Sequence, residues 1–320
     1  MSATEYRATM REYLVHLVWE QWSRLGVAAH AAADAEQGDT LDPEALILLT
    51  SEIGRYEPRL FDLMLDWLVA YSRLVNVQRL VTLCRKYKWV DASLLGYIAS
   101  VCVRHGGDPR WQKLVVEKHT EPQPLFLDIE TQRALFVARS DTSALQHGWI
   151  RSEYTRSGKV APHLPQRAET LLLMLRGCVG VNARAEILLL LLSGVGKPTE
   201  LASRSTFAPS TVHEILREMQ LSGMIDDVAD DARGHHYIIR VITIPQIRDI
   251  VSSVKFPCWI RIIDFMGQLW KLLTNAKVAT LSDKTFLGEL DHLVRRSLLP
   301  VSRTADFPPS LLRLLSKPTG

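Results

Sequence analysis

The sequence is poor in cysteine, and the few cysteines that it has are scattered. Only four occur in 320 residues, at Cys84, Cys102, Cys178 and Cys258, and no two of them form a CxxC pair or join a histidine in a ligand cluster. This spacing excludes the disulfide framework of a small secreted protein and the common zinc-binding patterns. Each cysteine stands among apolar residues, so we expect reduced thiols in the core of a cytoplasmic protein.

Long apolar runs and familiar catalytic motifs are also missing. No run approaches the roughly 18 to 20 apolar residues of a membrane span, and Met1 to Arg11 is too polar for a signal peptide. The glycine-rich nucleotide loops, HExxH and GxSxG are absent. His235 and His236 are adjacent in a predicted strand and so point to opposite faces, while His213 stands alone. We therefore predict a non-enzymatic protein without cofactor, metal site or membrane contact.

The composition that remains is that of an ordinary soluble globular protein, with 47% apolar and 23% charged residues. The net charge of +3 is unevenly distributed along the chain. Residues 1–146 carry sixteen basic and nineteen acidic residues, 147–167 carry four and one, and 246–320 carry eleven and six. Positive charge therefore gathers on both sides of a central segment.

That central segment, residues 182–241, combines helix caps, turn residues and apolar periodicity. Asn182 can cap a helix whose apolar run, Ile187 to Leu192, ends at Gly194, where glycine tolerates the positive φ of a helix exit. Pro198 suits the first turn of a second helix, and Pro209 that of a third. In the third helix apolar residues recur at helical spacing, namely Val212, Ile215, Leu216 and Met219.

A β-hairpin follows these three helices. Gly223 ends the third helix, Met224 to Val228 predicts one strand, and the β-branched and aromatic run from His235 to Ile244 predicts another. Three helices followed by a hairpin form a winged helix-turn-helix. We therefore predict a mainly α protein with a helical N-terminal domain at 1–146, a basic linker at 147–167, the winged helix-turn-helix domain at 168–245, and a helical C-terminal extension at 246–320.

The segments ARAEILLLLL and KPTELASRSTFAPSTVHEILREMQLSGMI, with the hairpin after them, resemble bacterial winged-helix transcriptional regulators of the ArsR and MarR type. The resemblance covers residues 182–245, about a fifth of the chain. It implies a DNA-binding regulator that acts as a homodimer, in which the third helix enters the major groove of duplex DNA and the wing touches the backbone. By position, these roles fall to Ser210, Thr211, His213, Arg217 and Arg233.

Two features of the segment depart from those families. Ala208 stands where they usually place Ser or Thr as the cap of the third helix. The hairpin stem carries one arginine, Arg233, and four aspartates, namely Asp226, Asp227, Asp230 and Asp231. Their carboxylates would repel the phosphates of DNA. Residues 169–245 hold seven basic and nine acidic residues. This balance favours the alternative hypothesis, a non-enzymatic interaction subunit of antitoxin or adaptor type whose winged helix and helical domains bind a protein partner.

The basic linker favours DNA instead. Residues 147–167 are interrupted by proline and glycine and show little apolar periodicity. We predict an extended arm there that carries Arg151, Arg156, Lys159 and Arg167, of which the first three are the candidate contacts to the phosphate backbone.

The rest of the chain predicts helices. Asn76, Asp91 and Asp108 are placed to cap helices of the N-terminal domain. Phe126 to Val137 is interpreted as a last helix or strand, and residues 28–38 as an alanine-rich connection. Near the C-terminus an aromatic stripe keeps helical spacing at Trp259, Ile262, Ile263, Met266, Trp270 and Leu273. Such a stripe more often packs within its own domain, with a dimer interface as the alternative.

Overall fold

A computed structural model of the chain describes residues 3–27, 39–115, 121–228, 235–240, 254–275, 278 and 282–298. This part is mainly helical, as predicted. In chain order its helices are α1 (Ala3–Arg24), α2 (Pro43–Ile53), α3 (Pro58–Tyr71), α4 (Val77–Lys86), α5 (Ala92–Arg104), α6 (Thr142–Gln146), α7 (Leu171–Val179), α8 (Ala183–Leu192), α9 (Pro198–Ser205), α10 (Pro209–Leu221), α11 (Trp259–Thr274) and α12 (Asp283–Leu293). In the part of the chain that is described, no helix has both the length and the apolar character needed to cross a bilayer.

Shorter elements complete the described chain. Strands β1 (Gln123–Pro124) and β2 (Trp149–Ile150) pair in parallel, and β3 (Ile225–Asp227) and β4 (Tyr237–Ile239) pair antiparallel. Turns of 3-10 helix lie at Gly54–Tyr56, Ser72–Leu74, Pro109–Leu114 and Ala168–Thr170, and a π-helical turn lies at Val294–Leu298.

The chain divides into two compact units. The larger unit draws on Met1–Ala33, Pro43–Leu164 and Ile260–Gly320, and the smaller unit on Asp34–Asp42 and Pro165–Trp259. The larger unit therefore contains α1 to α6, the two parallel strands, α12 and all of α11 after its first residue. The smaller unit contains α7 to α10 and the antiparallel pair.

Side-chain caps start several helices of the larger unit. Asn76 accepts a hydrogen bond from the Arg79 amide, and Asp91 accepts one from the Ser93 amide at 2.9 Å. Asp108 does the same for the 3-10 turn that begins at Pro109. These three predicted caps are confirmed. Each satisfies an amide that has no partner within its own helix.

The core of the larger unit is built around tryptophan. Trp22 on α1 and Trp67 on α3 are fully buried and meet edge to face, with ring centroids 5.3 Å apart. Each indole N–H has an acceptor, because Trp22 donates to the Thr50 hydroxyl and Trp67 to the Leu25 carbonyl. These two rings therefore bury apolar area without leaving their own indole N–H groups unpaired.

The aromatic stripe of α11 packs within the chain. Its members from Ile262 to Leu273 are buried, and Tyr87 donates its hydroxyl proton to the Ile260 carbonyl at 2.7 Å. Trp89 lies against Gly267, where an added Cβ would approach the indole ring to 2.2 Å. A side chain at position 267 would therefore displace this contact.

Two expectations from the sequence were wrong, and the first concerns the larger unit. Residues 126–137 form neither a helix nor a strand, and only an isolated bridge joins Leu127 to Ala134. Asp128 accepts hydrogen bonds from the amides of Glu130 and Thr131, a local turn that competes with regular structure.

The second wrong expectation is that all four cysteines are core thiols. Cys102 is buried, but Cys178 is exposed. The alanine-rich connection lies outside the described residues.

Backbone contacts close the smaller unit, in which residues 39–42 lie beside residues 254–259. The Thr40 amide donates to the Lys255 carbonyl at 3.0 Å, and the Trp259 indole donates to the Thr40 carbonyl at 2.6 Å. Between α7 and α8, Arg176 and Glu186 form a fully buried ion pair at 2.6 Å. Removing one partner of such a pair leaves a buried charge uncompensated, which typically costs about 3 to 5 kcal/mol.

Candidate nucleic-acid interface

The segment from α8 to α10 is divided by three distinct backbone signals. After α8, Gly194 takes a φ of 82°. Thr206 follows the last residue of α9, has a φ of 68°, and donates its amide proton to the Ala202 carbonyl. Pro209 opens α10, and Ala208 before it makes no side-chain cap. Thr206 thus takes a left-handed conformation that is uncommon outside glycine, and it ends the helical path of α9 before α10 begins.

The helix α10 has one buried and one exposed face. Its apolar stripe is buried as predicted, with Val212, Ile215, Leu216 and Met219 all turned inward. Ser210, His213, Glu214 and Arg217 are exposed, and Thr211 is half-buried. The predicted phase of the helix is therefore confirmed, and four of the candidate DNA-binding residues, Ser210, Thr211, His213 and Arg217, belong to this one helix.

The exposed charges of α10 differ in their partners. Glu218 forms an ion pair with Arg184 on α8, so its charge is compensated. Within the described residues, neither Arg217 nor Glu214 takes part in an ion pair. The Arg217 guanidinium therefore has its donors available to a ligand.

The antiparallel strands are joined to the connection between α8 and α9. The Tyr237 amide on β4 donates to the Gly196 carbonyl at 3.0 Å. A Cβ at position 196 would lie 2.5 Å from the Tyr237 carbonyl oxygen, so only glycine fits there. The sequence interpretation missed Gly196. Its signal was a glycine just before the predicted second helix, which can indicate a close backbone approach.

Two of the stem carboxylates have cationic or polar partners. Arg240 donates from Nε to the Asp226 carboxylate at 2.6 Å, and this hydrogen bond holds the pKa of Asp226 below its usual range. His235 Nδ1 lies 2.6 Å from the Asp227 carboxylate. The sequence analysis counted Arg233 as the cation beside these aspartates and overlooked Arg240. Asp230, Asp231 and Arg233 lie outside the described residues.

The predicted basic arm differs from the structure at its first residue. Arg151 is buried in the larger unit, directly after β2, and donates two hydrogen bonds to Asp62 at 2.7 and 3.1 Å. Its guanidinium also lies over the Phe126 ring, 5.2 Å from the centroid. Arg151 is therefore part of a packed core and not of an extended arm. Arg156 and Lys159 are exposed.

An apolar surface accompanies the antiparallel strands. Met224, Val228 and Ile238 are 43%, 50% and 45% exposed, and Leu221 at the end of α10 is 78% exposed. Ile238 pairs with Asp226 in the strand register, whereas the buried Ile225 pairs with Ile239. Alternation along the strands thus puts the exposed residues on the outer side of the sheet.

No protein-family model matches the chain, and no curated protein and no solved structure matches it either. Across the described ranges, no group of three or more histidine, cysteine, aspartate and glutamate side chains is positioned to hold a metal ion. The chemistry of this surface is therefore judged from its own residues.

Proposed function

We propose that the smaller unit contains a winged helix-turn-helix that binds duplex DNA through the exposed face of α10, and that the protein is a transcriptional regulator. The observation that carries the proposal is the succession of α9, a sharp turn at Thr206 and α10, followed by an antiparallel pair of strands. In a helix-turn-helix the second helix lies in the major groove, with base contacts from its N-terminal residues. Ser210, His213 and Arg217 are exposed on the corresponding helix here.

The side chains of α10 offer suitable chemistry for both bases and phosphates. Arg217 can donate two parallel hydrogen bonds to guanine, and Glu214 can accept one from cytosine. Ser210, Thr211 and His213 can donate to phosphate oxygens. Because Ala208 provides no side-chain acceptor, the first-turn amides of α10 keep donors for a phosphate as well.

The ion pairs near α10 reduce the expected repulsion from DNA. Glu218 is compensated by Arg184, and Asp226 by Arg240. A paired carboxylate contributes a weaker field than an isolated one at the distance of a phosphate. These two pairs therefore add little repulsion at the positions of Glu218 and Asp226, although the excess of nine acidic over seven basic residues in 169–245 is unchanged.

The test is a binding titration of the full chain against genomic DNA fragments at two salt concentrations, with Arg217→Ala beside the unchanged protein. We expect the variant to bind its preferred fragment about tenfold more weakly, since a good base contact contributes about 1 to 3 kcal/mol. Arg85→Ala is the matched control, because Arg85 is also an exposed helical arginine but lies on α4. An unchanged affinity of Arg217→Ala, with an unchanged melting curve, would contradict the proposal.

A second candidate function is protein binding, as an antitoxin or adaptor subunit. The observation that favours it is the exposed apolar group of Leu221, Met224, Val228 and Ile238, since clustered exposed apolar residues mark interaction surfaces. A second copy of the chain could bury the same surface, which would give the homodimer that we also propose. The titration separates the two candidates, because the absence of any DNA complex even at low salt favours the protein partner.

A further inference from the structure

A pocket of about 740 Å³ opens on the larger unit. It lies between the end of α4 with the residues that follow it, α11 from Asp264 to its C-terminal end, and α12 with the π-helical turn after it. Its volume falls in the range of small-molecule sites, about 300 to 1,000 Å³. The pocket belongs to neither the helix nor the sheet that we propose for DNA binding.

Cationic side chains from all three walls line this pocket. Lys86 and Lys88 come from the α4 side, Lys271 from α11, and Arg296 from the π-helical turn. Two carboxylates also line it, Asp264 and Glu289. The cations therefore outnumber the anions by four to two, before His292 is counted.

The partners of these groups leave much of the positive charge available. Asp264 accepts a hydrogen bond from the Trp89 indole at 2.9 Å, and Arg296 donates to the neutral amide of Gln268 at 2.6 Å. Lys271 is paired with Glu52. Within the described residues, no ion pair includes Lys86 or Lys88, and both are exposed.

One wall of the pocket is rigid. Trp89 stacks on Tyr87, with ring centroids 5.1 Å apart and planes inclined by 14°, and its other neighbour is Gly267 on α11. The hydrogen bonds of Tyr87 to Ile260 and of Trp89 to Asp264 fix both rings. A wall that is already ordered loses little entropy when a ligand binds, which favours affinity.

We propose that this pocket binds a small polyphosphate anion, such as a nucleoside di- or triphosphate. Three of its four cations are lysines, and Lys86 and Lys88, unlike Lys271, make no ion pair within the described residues. Such separate point charges suit an anion whose charge is spread over several phosphate oxygens. A single carboxylate is better matched by one arginine fork. Glu289 and Gln268 supply acceptors and donors for the hydroxyl or amino groups of an organic part.

The proposal is tested by calorimetric titration of the full chain with inorganic tripolyphosphate and, separately, with ATP, both without divalent metal. We expect Lys88→Gln combined with Arg296→Gln to weaken binding by about tenfold or more, because two charge-assisted contacts are lost. Lys113→Gln is the control, since it removes an exposed lysine of the same unit that does not line the pocket. It should keep the affinity within about twofold.

Each outcome of this titration bears on the proposal. Equal affinity for the two probes supports a site that recognises the phosphate chain alone, and tighter binding of ATP supports added contacts to the organic part. The proposal is overturned if neither probe binds at millimolar concentration in low salt. It is also overturned if the control loses as much affinity as the double variant, or if the double variant keeps its affinity and its melting temperature.

Discussion

Arg151 is a residue whose predicted position and observed position differ. Its position among prolines, glycine and other basic residues predicted a free arm, yet its guanidinium is buried against Asp62 and the Phe126 ring. Burial raises the pKa of Asp62, and the hydrogen bonds and charge of Arg151 act in the opposite direction. The pair therefore holds a carboxylate charged where burial alone would disfavour its charge.

We expect Arg151→Ala to lower the free energy of unfolding by about 2 kcal/mol at neutral pH. The loss should be smaller than the roughly 3 to 5 kcal/mol of a fully buried pair, because the Asp62 side chain keeps 37% exposure. Without Arg151 the folded-state pKa of Asp62 should rise further above its unfolded value. The folded state then binds more protons, so the variant's deficit should shrink as the pH falls toward about 4.

Urea unfolding of the full chain at neutral and mildly acidic pH measures this difference. The matched control is Arg156→Ala, which removes an exposed arginine five positions further on and should change stability by less than about 0.5 kcal/mol. Equal stability of the two variants would show that Arg151 is not a structural residue.

At the scale of the element, α10 is a helix whose predicted phase is confirmed. Its apolar residues follow the helical period, and the same residues are buried in the smaller unit. The period alone determines which side chains share a face. Packing against α8, α9 and β3 decides that this face turns inward and that the other stays exposed.

We expect Leu216→Ala to destabilise the protein by about 2 to 5 kcal/mol, through lost burial and the cavity that remains. Ser210→Ala on the exposed face of the same helix should cost less than about 0.5 kcal/mol. Thermal denaturation of both variants measures the contrast. The reverse order of stabilities would mean that the two faces of α10 are wrongly assigned.

At the scale of the whole molecule, charge is the property that bears most directly on DNA. The chain carries a net charge of only +3, with its positive excess on both sides of the central segment. Of the three arm residues predicted to contact phosphates, Arg156 and Lys159 are exposed. Their contribution to DNA affinity stays a prediction, and salt dependence is the measurement suited to it.

We expect a variant with both Arg156→Ala and Lys159→Ala to show a shallower dependence of log affinity on log salt concentration. Each lost phosphate contact on duplex DNA reduces the slope by about 0.9, so two contacts reduce it by about 2. Preference among fragments should persist, because backbone contacts position a protein without reading sequence. Arg85→Ala with Lys113→Ala removes equal charge elsewhere, and an equal flattening by that pair would argue against specific phosphate contacts.

The sequence by itself determined the local features of this protein. The caps at Asn76, Asp91 and Asp108, the prolines that open α9 and α10, and the glycine after α8 all act on residues within about four positions. Such interactions depend only on side chains and backbone dihedrals that are close together in the sequence. For the same reason the two faces of α10 could be predicted, whereas contact of its residues with DNA stays a prediction.

Only the tertiary structure decided which distant residues meet. Arg151 and Asp62 are 89 positions apart, and Arg240 and Asp226 are 14 apart across a pair of strands. The pocket between α4, α11 and α12 brings Lys88 and Arg296 together. No local pattern specifies such partners, because the free energy that brings them together comes from burying the core around them. Folding of the core therefore places Arg151, which was predicted for an arm, among buried residues. It also brings Arg240 to Asp226, a carboxylate that the sequence alone predicted to repel DNA.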